Sequence, residues 1–327
     1  RRGDTARAVA GFAGEHLGGV ETLMRAGTTV ADAARTIIPA PALEALSETA
    51  RRLTKARLPR ISRALHRGSG AARSTPTRQD PRQSGFPVPI AQSGRPSVVY
   101  FPSCATRLFG TPATEHELLA GPAAMVALLE RAGFDVIVPE QLNGQCCGQP
   151  FQSKGFPEQA AATAAALNQH LSSLADGGRL RVLTDASTCA KHLAEFPGDA
   201  PVLDAAQFLA EQILPRLTIT RQLDMVAVHH NCSAQRLREQ KLTEAIARAC
   251  AKQIAVLSSV TCCGYAGDKG LFFPELNAHA TRFAKGDIPA GCTLGVSTVS
   301  TCASGLSEHT AIPFVGLASL LEWASRP

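Results

Sequence analysis

The chain has 327 residues, 45% hydrophobic and 5% aromatic, which suits two domains with real cores and favours helix-rich α/β packing over a sandwich or barrel. Ten cysteines are too few for a disulfide scaffold, and no apolar run reaches the ~18 residues of a membrane span, so we expect a cytoplasmic protein with reduced thiols. The net charge of +6 is uneven: residues 1–95 carry 16 Lys/Arg against 7 Asp/Glu, and the remainder carries 17 against 20.

Residues 1–65 are predicted to form an amphipathic segment of two or three helices. An apolar stripe at helical spacing begins at Leu17. Thr29 and Asp32 are residue types that start helices and predict the beginning of a second helix, and Pro39 predicts a break before a third.

Residues 66–96 are rich in Gly, Ser, Pro, Arg and Gln, and they are predicted to be a disordered linker because they offer almost nothing to bury. Linker arginines could contact nucleic acid or anionic lipid, but they lack aromatic interleaving. We therefore expect a solvated tether and no specific nucleic-acid partner. The chain starts at Arg1 rather than at methionine, and we expect it to be the C-terminal part of a longer protein.

From residue 97 onward, short apolar strands alternate with helices, and the same order occurs twice. The first half, residues 97–217, and the second half, residues 218–327, each read strand, Cys, helix, strand, Cys-Cys-Gly, helix, strand, Cys, helix. This alternation predicts an α/β fold of two pseudo-symmetric Rossmann-like halves with short parallel sheets, preceded by the N-terminal helical segment. Because the loops at the carboxyl ends of parallel strands converge on one edge, each half should bring four cysteines together.

The predicted bounds follow from the apolar runs and from the Gly and Pro residues between them. The predicted strands are 98–101, 134–138, 180–184 and 202–203 in the first half, and 224–228, 254–257, 294–297 and 312–315 in the second. The predicted helices are 117–132, a long one from Pro157, 205–214, 243–252, 274–284 and 317–324.

The eight patterned cysteines are the predicted metal or cluster ligands. Adjacent cysteines rarely bridge each other, and thiolates in fours suit a [4Fe–4S] cluster or tetrahedral zinc. The pattern does not separate iron from zinc, and buried structural thiols are the alternative. The glycine after each pair permits a tight turn, and predicted helix starts after three of the cysteines would stabilise thiolates. The predicted ligands are Cys104, Cys146, Cys147, Cys189, Cys232, Cys262, Cys263 and Cys302.

Other residues are candidates for smaller roles. Cys250 lies on a predicted helix and is expected in the core, whereas Cys292 is a candidate substitute ligand. His229 and His230 precede Cys232 and are candidates for hydrogen bonding to a cluster sulfide or relaying a proton, against a role in loop packing. The remaining candidates are a carboxylate expected to orient a turn and three lysines that could offset negative charge: Asp185, Lys154, Lys191 and Lys269.

Three segments resemble a known family: Tyr100-Phe101-Pro102-Ser103-Cys104, Thr184-Asp185-Ala186-Ser187-Thr188-Cys189 and Ser297-Thr298-Val299-Ser300-Thr301-Cys302. The pattern of one cysteine, then Cys-Cys-Gly, then a last cysteine occurs twice and makes residues 97–327 similar to the cysteine-rich CCG family, and the three segments carry the similarity to its D-lactate dehydrogenase type. That family includes the B subunit of heterodisulfide reductase, the iron–sulfur subunit of glycolate oxidase and, most similar here, the C-terminal region of FAD-linked D-lactate dehydrogenases with 4Fe–4S domains.

One departure from the family pattern narrows the expected chemistry. The reductase ends its pattern with Cys-x-x-Cys, but here Val299 stands three residues before Cys302, and Cys189 is followed by Ala190-Lys191-His192. The five-cysteine double cluster of the reductases is therefore not expected, whereas four thiolates per half suit one cluster or one zinc ion.

The resemblance implies that the chain is the iron–sulfur electron-transfer region of an oxidoreductase acting on D-lactate or another D-2-hydroxy acid. It implies that FAD and ferredoxin-type domains lie in the missing N-terminal part or in a partner chain. It also implies a quinone or cytochrome acceptor and peripheral association with the inner face of the membrane. The alternatives are a thiol–disulfide (heterodisulfide) reductase-like subunit and a zinc-stapled docking module.

Overall fold

A computed structural model describes residues 3–53, 58–62, 64, 66, 68, 94–110, 112, 114–196 and 198–327. Most of the predicted linker, residues 66–96, lies outside the described residues, so its disorder stays a prediction. No helix within the described ranges is long and apolar enough to cross a membrane.

The N-terminal segment contains three helices: α1 (Asp4–Glu15), α2 (Leu17–Ile37) and α3 (Ala40–Leu53). The predicted helix start at Thr29 and Asp32 is wrong, because α2 continues through both residues. The Thr29 hydroxyl donates to the Arg25 carbonyl oxygen at 2.8 Å. It is therefore satisfied inside the helix instead of capping a new one.

The first half contains a four-stranded sheet with helices between its strands. Its elements are β1 (Ser97–Phe101), α4 (Cys104–Leu108), α5 (Gly121–Arg131), β2 (Asp135–Ile137), α6 (Gln149–Lys154), α7 (Pro157–Leu174), β3 (Arg181–Thr184), α8 (Ser187–Ala194), β4 (Val202–Asp204) and α9 (Ala205–Phe208). After α9 the chain continues as a wider π-helical turn, Leu209–Ile213, and a 3₁₀ turn, Leu214–Arg216.

The second half repeats this order. Its elements are β5 (Leu223–His229), α10 (Cys232–Leu237), α11 (Gln240–Cys250), β6 (Ala251–Val256), α12 (Lys269–Phe272), α13 (Pro274–Ala280), a 3₁₀ turn (Ala284–Asp287), β7 (Gly295–Ser297), α14 (Ser300–Thr310), β8 (Phe314–Gly316) and α15 (Leu317–Ala324).

The two sheets have equivalent topologies. All their strand pairs are parallel, and the spatial orders are β2-β1-β3-β4 and β6-β5-β7-β8. Phe101 lies beside Thr184 in the first sheet, and His229 lies beside Ser297 in the second. The ends of the inner strands are thus level, and the loops that follow them start at the same edge. The predicted α/β fold of two pseudo-symmetric halves is confirmed.

Four predicted helices have other bounds in the structure. The helices predicted at 205–214 and 274–284 end as α-helices at Phe208 and Ala280. The other two also begin elsewhere. The helix predicted at 117–132 begins only at Gly121, where Pro122 occupies the first turn, a position that tolerates proline because its N–H would have no helical partner. The helix predicted at 243–252 begins at Gln240 and ends at Cys250. It ends there because Ala251 already pairs with the neighbouring strand.

The two halves share one hydrophobic core. Side chains such as Leu128 of α5 and Leu321 of α15 are fully buried in it, and each side chain of this size contributes about 1.5–3 kcal/mol to stability. At its border, Arg131 donates to the carboxylate of the buried Glu322 at 2.9 Å. The halves are therefore packed against each other by both apolar and charged contacts.

The described N-terminal helices pack on both halves. Ala10 of α1 lies against Phe151 in the first half. Arg51 of α3 donates to the carbonyl oxygens of Leu271 and Phe272 in the second half, at 3.1 and 2.9 Å. These contacts answer a question that the sequence left open, whether this segment associates with the cysteine-rich halves.

Candidate metal centres

Each cysteine of the repeat lies at the carboxyl edge of its sheet. Cys104 and Cys232 are the first residues of α4 and α10, directly after the turns that follow β1 and β5. Cys189 and Cys302 are the third residues of α8 and α14. The sequence placed a helix start after Cys189, but α8 begins two residues before it. The Cys-Cys pairs occupy the loops after β2 and β6.

The structure brings the eight predicted cysteines together in two groups of four. We name Cys104, Cys146, Cys147 and Cys189 the first set, and Cys232, Cys262, Cys263 and Cys302 the second set. The Sγ atoms of Cys147 and Cys189 are 3.1 Å apart, and those of Cys263 and Cys302 are 2.9 Å apart. Further thiol contacts join the other members of each set. All ten cysteines are free thiols.

The glycine after each pair is required by its backbone. Gly148 has φ +89° and Gly264 has φ +71°, a left-handed conformation that costs other residues about 1–2 kcal/mol. An added Cβ would stand 2.3 Å from the Ala160 carbonyl oxygen or 2.4 Å from that of Leu276. These turns direct the glycine N–H groups towards the sulfurs of Cys146 and Cys262, at 3.5 and 3.4 Å.

A residue that the sequence reasoning missed joins the cysteine loops of the first half. Arg107, three residues after Cys104, donates to the Pro102 carbonyl oxygen at 2.8 Å and to the Gln145 carbonyl oxygen at 3.0 Å. Its guanidinium also forms a bidentate pair with the Glu21 carboxylate, at 2.8 and 3.0 Å. Arg107 therefore fixes the turn before Cys104 to the loop before the cysteine pair.

Gln235 has the equivalent position in the second half, three residues after Cys232. Its amide donates to the His230 carbonyl oxygen at 2.7 Å and to the Thr261 carbonyl oxygen at 3.2 Å. His230 and Thr261 precede the second set as Pro102 and Gln145 precede the first. The available sequence signal was a long hydrogen-bonding side chain three residues after the first cysteine of each half.

Other polar side chains fix the loop that precedes the last cysteine of each set. The carboxylate of Asp185 accepts from the Ser103 backbone N–H at 2.9 Å and from the Tyr100 hydroxyl at 2.6 Å. This agrees with the expectation that Asp185 orients a turn. Burial raises the pKa of Asp185, although its hydrogen bonds oppose the shift. At the position equivalent to Asp185, Thr298 accepts from Asn231 and contacts Ser187 of the first half at 2.9 Å.

The two sets differ in burial. Cys146 is 6% exposed and Cys104 is half-buried, whereas their equivalents Cys262 and Cys232 are exposed. Helix α2 causes this difference, because it packs on α4 and delivers Glu21 to the loop before Cys146. The same carboxylate accepts the N–H of Gly144 at 3.1 Å. The N-terminal segment thus covers the first set and leaves the second open.

Burial also changes the pKa values of the thiols in the first set. The contact with Cys146 and burial raise the pKa of Cys104 well above its ordinary value, and the cation of Arg107 opposes that shift. The contact with Cys104 favours the Cys146 thiolate, but the contact with Cys147 and burial prevail and raise the pKa of Cys146 to about 12. The first set therefore favours neutral thiols when no cation is bound.

In the second set one thiolate is favoured. The contacts with Cys232 and Cys263, together with the Gly264 N–H, lower the pKa of Cys262, while the contact with Cys262 and burial raise the pKa of Cys232. Burial and then the neighbouring His230 lower the pKa of His229 to about 4, so this histidine is neutral at pH 7.

The remaining candidates have structural contacts. His229 Nδ1 is 3.1 Å from Ser297 Oγ, and His230 Nε2 is 3.1 Å from the Glu244 carboxylate. Cys250 is fully buried in the core, as predicted. Cys292 donates to the Leu294 carbonyl oxygen at 3.4 Å in a separate cluster. The three lysines pair with Asp268, with Glu195 and with the Ser153 carbonyl oxygen: Lys154, Lys191 and Lys269 respectively.

The donor chemistry of each set fits a thiolate-bound metal. As the side chains stand, no group of three or more His, Cys, Asp or Glu residues in the described part of the chain is positioned to hold an ion. Each set contains sulfurs in direct contact, whereas tetrahedral Zn–S bonds of about 2.3 Å hold sulfurs about 3.8 Å apart. Loading therefore requires the thiols to lose their protons and to separate, with the backbone already in place.

The fold and the two sets define a duplicated α/β protein with two four-thiol centres. The model of the CCG family, a cysteine-rich domain, matches residues 98–194 and again residues 226–305. These matches cover more than half of the chain, so the chain belongs to the CCG cysteine-rich domain family. That membership indicates an iron–sulfur or metal-binding role in electron transfer, within an oxidoreductase.

Similarity to solved structures is weak. The Picrophilus torridus aspartate racemase is 11% identical, with a TM-score of 0.31 over 68% of this chain and 89% of that chain. An aspartate racemase homologue from Pyrococcus horikoshii OT3 is 8% identical, with a TM-score of 0.28 over 69% of this chain and 95% of that chain. Scores this low carry no argument about function. No curated protein matches the chain in sequence.

Proposed function

We propose that this chain is the iron–sulfur electron-transfer region of an FAD-linked dehydrogenase that oxidises D-lactate or a similar D-2-hydroxy acid. The observation that carries the electron-transfer part is the duplicated arrangement of four thiols at the carboxyl edge of each parallel sheet. Family membership supports the same role. The D-2-hydroxy acid and the flavin rest on the resemblance of the Tyr100–Cys104, Thr184–Cys189 and Ser297–Cys302 segments to D-lactate dehydrogenases.

The residues of the chain would hold a cluster in each half. An iron–sulfur cluster supplies one-electron transfer, at a potential tuned by hydrogen bonds, charge and exposure. Four cysteines of each set provide the thiolates, and the Gly148 and Gly264 N–H groups lie beside their sulfurs. Arg107 and Gln235 hold the loops in register, and the Arg107 guanidinium beside the first set is paired with the Glu21 carboxylate.

The partners follow from this role. FAD and ferredoxin-type domains of the same protein or of a partner chain would deliver electrons, and a quinone or cytochrome would accept them. With these partners we expect the chain in the cytoplasm, at the inner face of the membrane when the acceptor is a quinone. The chain alone would not oxidise lactate.

Anaerobic reconstitution with iron and sulfide tests the electron-transfer role. We expect a brown protein with iron and acid-labile sulfide in comparable amounts, reducible by dithionite and giving an EPR signal in one redox state. A protein that stays colourless and free of iron would contradict the proposal. Adding the flavin-containing partner and D-lactate then tests the substrate, since bleaching should require both.

A zinc-stapled docking module is the second candidate. The sulfur separations of 3.1 and 2.9 Å are shorter than the about 3.8 Å of a tetrahedral zinc site, and the thiols would have to separate less for zinc than for a wider four-iron cluster. Elemental analysis separates the two candidates. One zinc per half without sulfide would favour the docking module, and it would predict no reduction by dithionite.

A further inference from the structure

The exposed thiols of the second set stand beside a basic surface. Cys232 and Cys262 are exposed, and Cys232 begins α10, which is followed by α11 after a short turn. Three exposed cations lie on α10, on the turn and at the start of α11: Arg236, Arg238 and Lys241. We name this surface the basic hairpin.

The acidic residues of the same segment do not neutralise this surface. Glu239 is buried at 6% exposure. Glu244 is partly buried and engaged with His230 at 3.1 Å and with Arg248 at 3.4 Å. Arg236 lies close enough to Cys232 to favour its thiolate. Arg236 therefore brings positive charge to the rim of the second set, where the exposed Glu195 of α8 offsets part of it.

Among the described residues, the cation nearest the first set is buried. Arg107 is 1% exposed and bound to Glu21, and α2 packs over part of the set. Among the described cysteines, the two exposed ones, Cys232 and Cys262, both belong to the second set.

We propose that the second set and the basic hairpin form the docking surface at which this chain exchanges electrons with a carrier protein whose surface is acidic. This inference rests on the proposed electron-transfer role. One electron passes between the carrier and the centre of the second set, and no bond is made or broken. The first set acts as the inner relay. Long-range attraction between the basic hairpin and an acidic carrier raises the association rate and falls with salt.

The experiment measures association with two small carriers of opposite charge. Flavodoxin, an acidic FMN protein, and cytochrome c, a basic haem protein, are mixed with the full chain at low salt, and binding is followed by calorimetry. We expect flavodoxin to bind and cytochrome c not to bind. The double variant R236E/K241E should weaken flavodoxin binding at least about tenfold, and salt should abolish the difference.

Arg179 supplies the matched control. It is 71% exposed and precedes β3, at the amino end of the sheet opposite the cysteines. R179E changes the net charge but should leave flavodoxin binding within twofold of the wild type. Equal weakening by R179E and by R236E/K241E, after correction for the number of charges, would overturn the docking surface.

Redox kinetics give a second readout. Oxidation of the reduced, reconstituted protein by anionic ferricyanide should slow about tenfold in R236E/K241E, whereas oxidation by cationic hexaammineruthenium(III) should accelerate. Unchanged rates with both oxidants would contradict exchange at this surface. Binding of the chain to phosphatidylglycerol vesicles but not to flavodoxin would show that the basic hairpin binds anionic lipid, and this result would overturn the proposal.

The calorimetry does not require a cluster, so the two proposals fail separately. A protein without redox-active iron that still binds flavodoxin through the basic hairpin would contradict the electron-transfer role but not the docking surface. A reconstituted, reducible protein that does not bind flavodoxin at low salt would contradict the proposed docking surface and leave the electron-transfer role intact.

Discussion

The two cysteine sets have equivalent frameworks in different surroundings. In each, three strand ends deliver four thiols, a glycine with positive φ follows the cysteine pair, and a side chain three residues after the first cysteine joins two loops. In the first set that side chain is Arg107, buried and paired with Glu21 from a covering helix. In the second set it is the neutral Gln235, and two thiols are exposed.

This difference shows that the repeat determines where the ligands lie but does not determine their burial or the charge around them. Sheet register and loop turns bring the sulfurs together in both halves, so the framework alone accounts for ligand placement. Burial and charge depend on the segment that precedes the repeat, and that segment covers only one set. We therefore expect variants of the framework to affect both sets alike and variants of the surroundings to separate them.

The largest expected effect is loss of one centre. C147A/C189A removes the two contacting thiols of the first set, and C263A/C302A removes those of the second. Two remaining thiolates do not complete a four-ligand site, so each double variant should retain about half of the wild-type metal, measured by plasma mass spectrometry. Loss of all metal from either variant would show that the two sets do not load independently.

The bridging side chains should differ in their effect on stability. Arg107→Ala leaves the Glu21 carboxylate buried without its partner, and breaking a buried pair in this way costs about 3–5 kcal/mol. Gln235→Ala removes neutral hydrogen bonds and should cost about 1–2 kcal/mol. Urea unfolding of the metal-free protein measures both free energies of unfolding.

The double variant E21L/R107M is the control for that comparison. It removes both charges and should recover most of the stability lost in Arg107→Ala, because no unpaired charge remains. Equal costs for Arg107→Ala and Gln235→Ala would show that the charged pair does not distinguish the two sets.

The glycine turns should behave alike in both halves. Gly148→Ala and Gly264→Ala each add the left-handed strain to a close approach to a backbone carbonyl oxygen, and each should cost at least about 2 kcal/mol. Gly133→Ala is the matched control. Gly133 has φ +90°, but an added Cβ there would meet no atom within 4 Å, so this variant measures the backbone strain alone. It should cost about 1–2 kcal/mol. A Gly133 variant as unstable as the other two would exclude the carbonyl contacts as the cause.

The smallest expected effect is a difference in proton release. A metal ion displaces the protons of its thiol ligands, so a thiol with a raised pKa releases a proton at pH 7 and one already present as thiolate does not. The pKa of Cys262 is lowered, whereas the pKa of its equivalent, Cys146, is raised to about 12. Zinc loading of the second set in C147A/C189A should release about one proton fewer than loading of the first set in C263A/C302A, by pH-stat titration.

The repeat made the fold and the cysteine groups predictable from the sequence. Local signals sufficed for β1 and α15, whose apolar runs are bounded by Pro and Gly residues. Local signals gave a wrong helix start at Thr29. A threonine suits either a helix start or a helix interior, where its hydroxyl donates to a carbonyl oxygen of the preceding turn, and the sequence does not distinguish the two. The Arg107–Glu21 pair joins residues 86 positions apart, and no local pattern indicates which helix will cover which loop.

The difference in exposure between the two sets could not be predicted for the same reason. Cys146 and Cys262 have nearly identical neighbours in sequence, Cys-Gly after each of them. Only the packing of α2 on the first half makes one buried and the other exposed. Duplicated motifs therefore predict duplicated geometry, and tertiary contacts outside the motif determine how exposed the cysteines of each copy are.

Anaerobic native mass spectrometry of the reconstituted wild-type chain tests whether each cysteine set holds a centre of its own. We expect a mass increase equal to two identical centres, with intermediate species that carry one. Digestion after alkylation should find the eight patterned cysteines protected and Cys250 and Cys292 outside the protected group. A chain at the mass of the bare polypeptide, or one carrying a single centre that protects cysteines of both sets, would contradict the account.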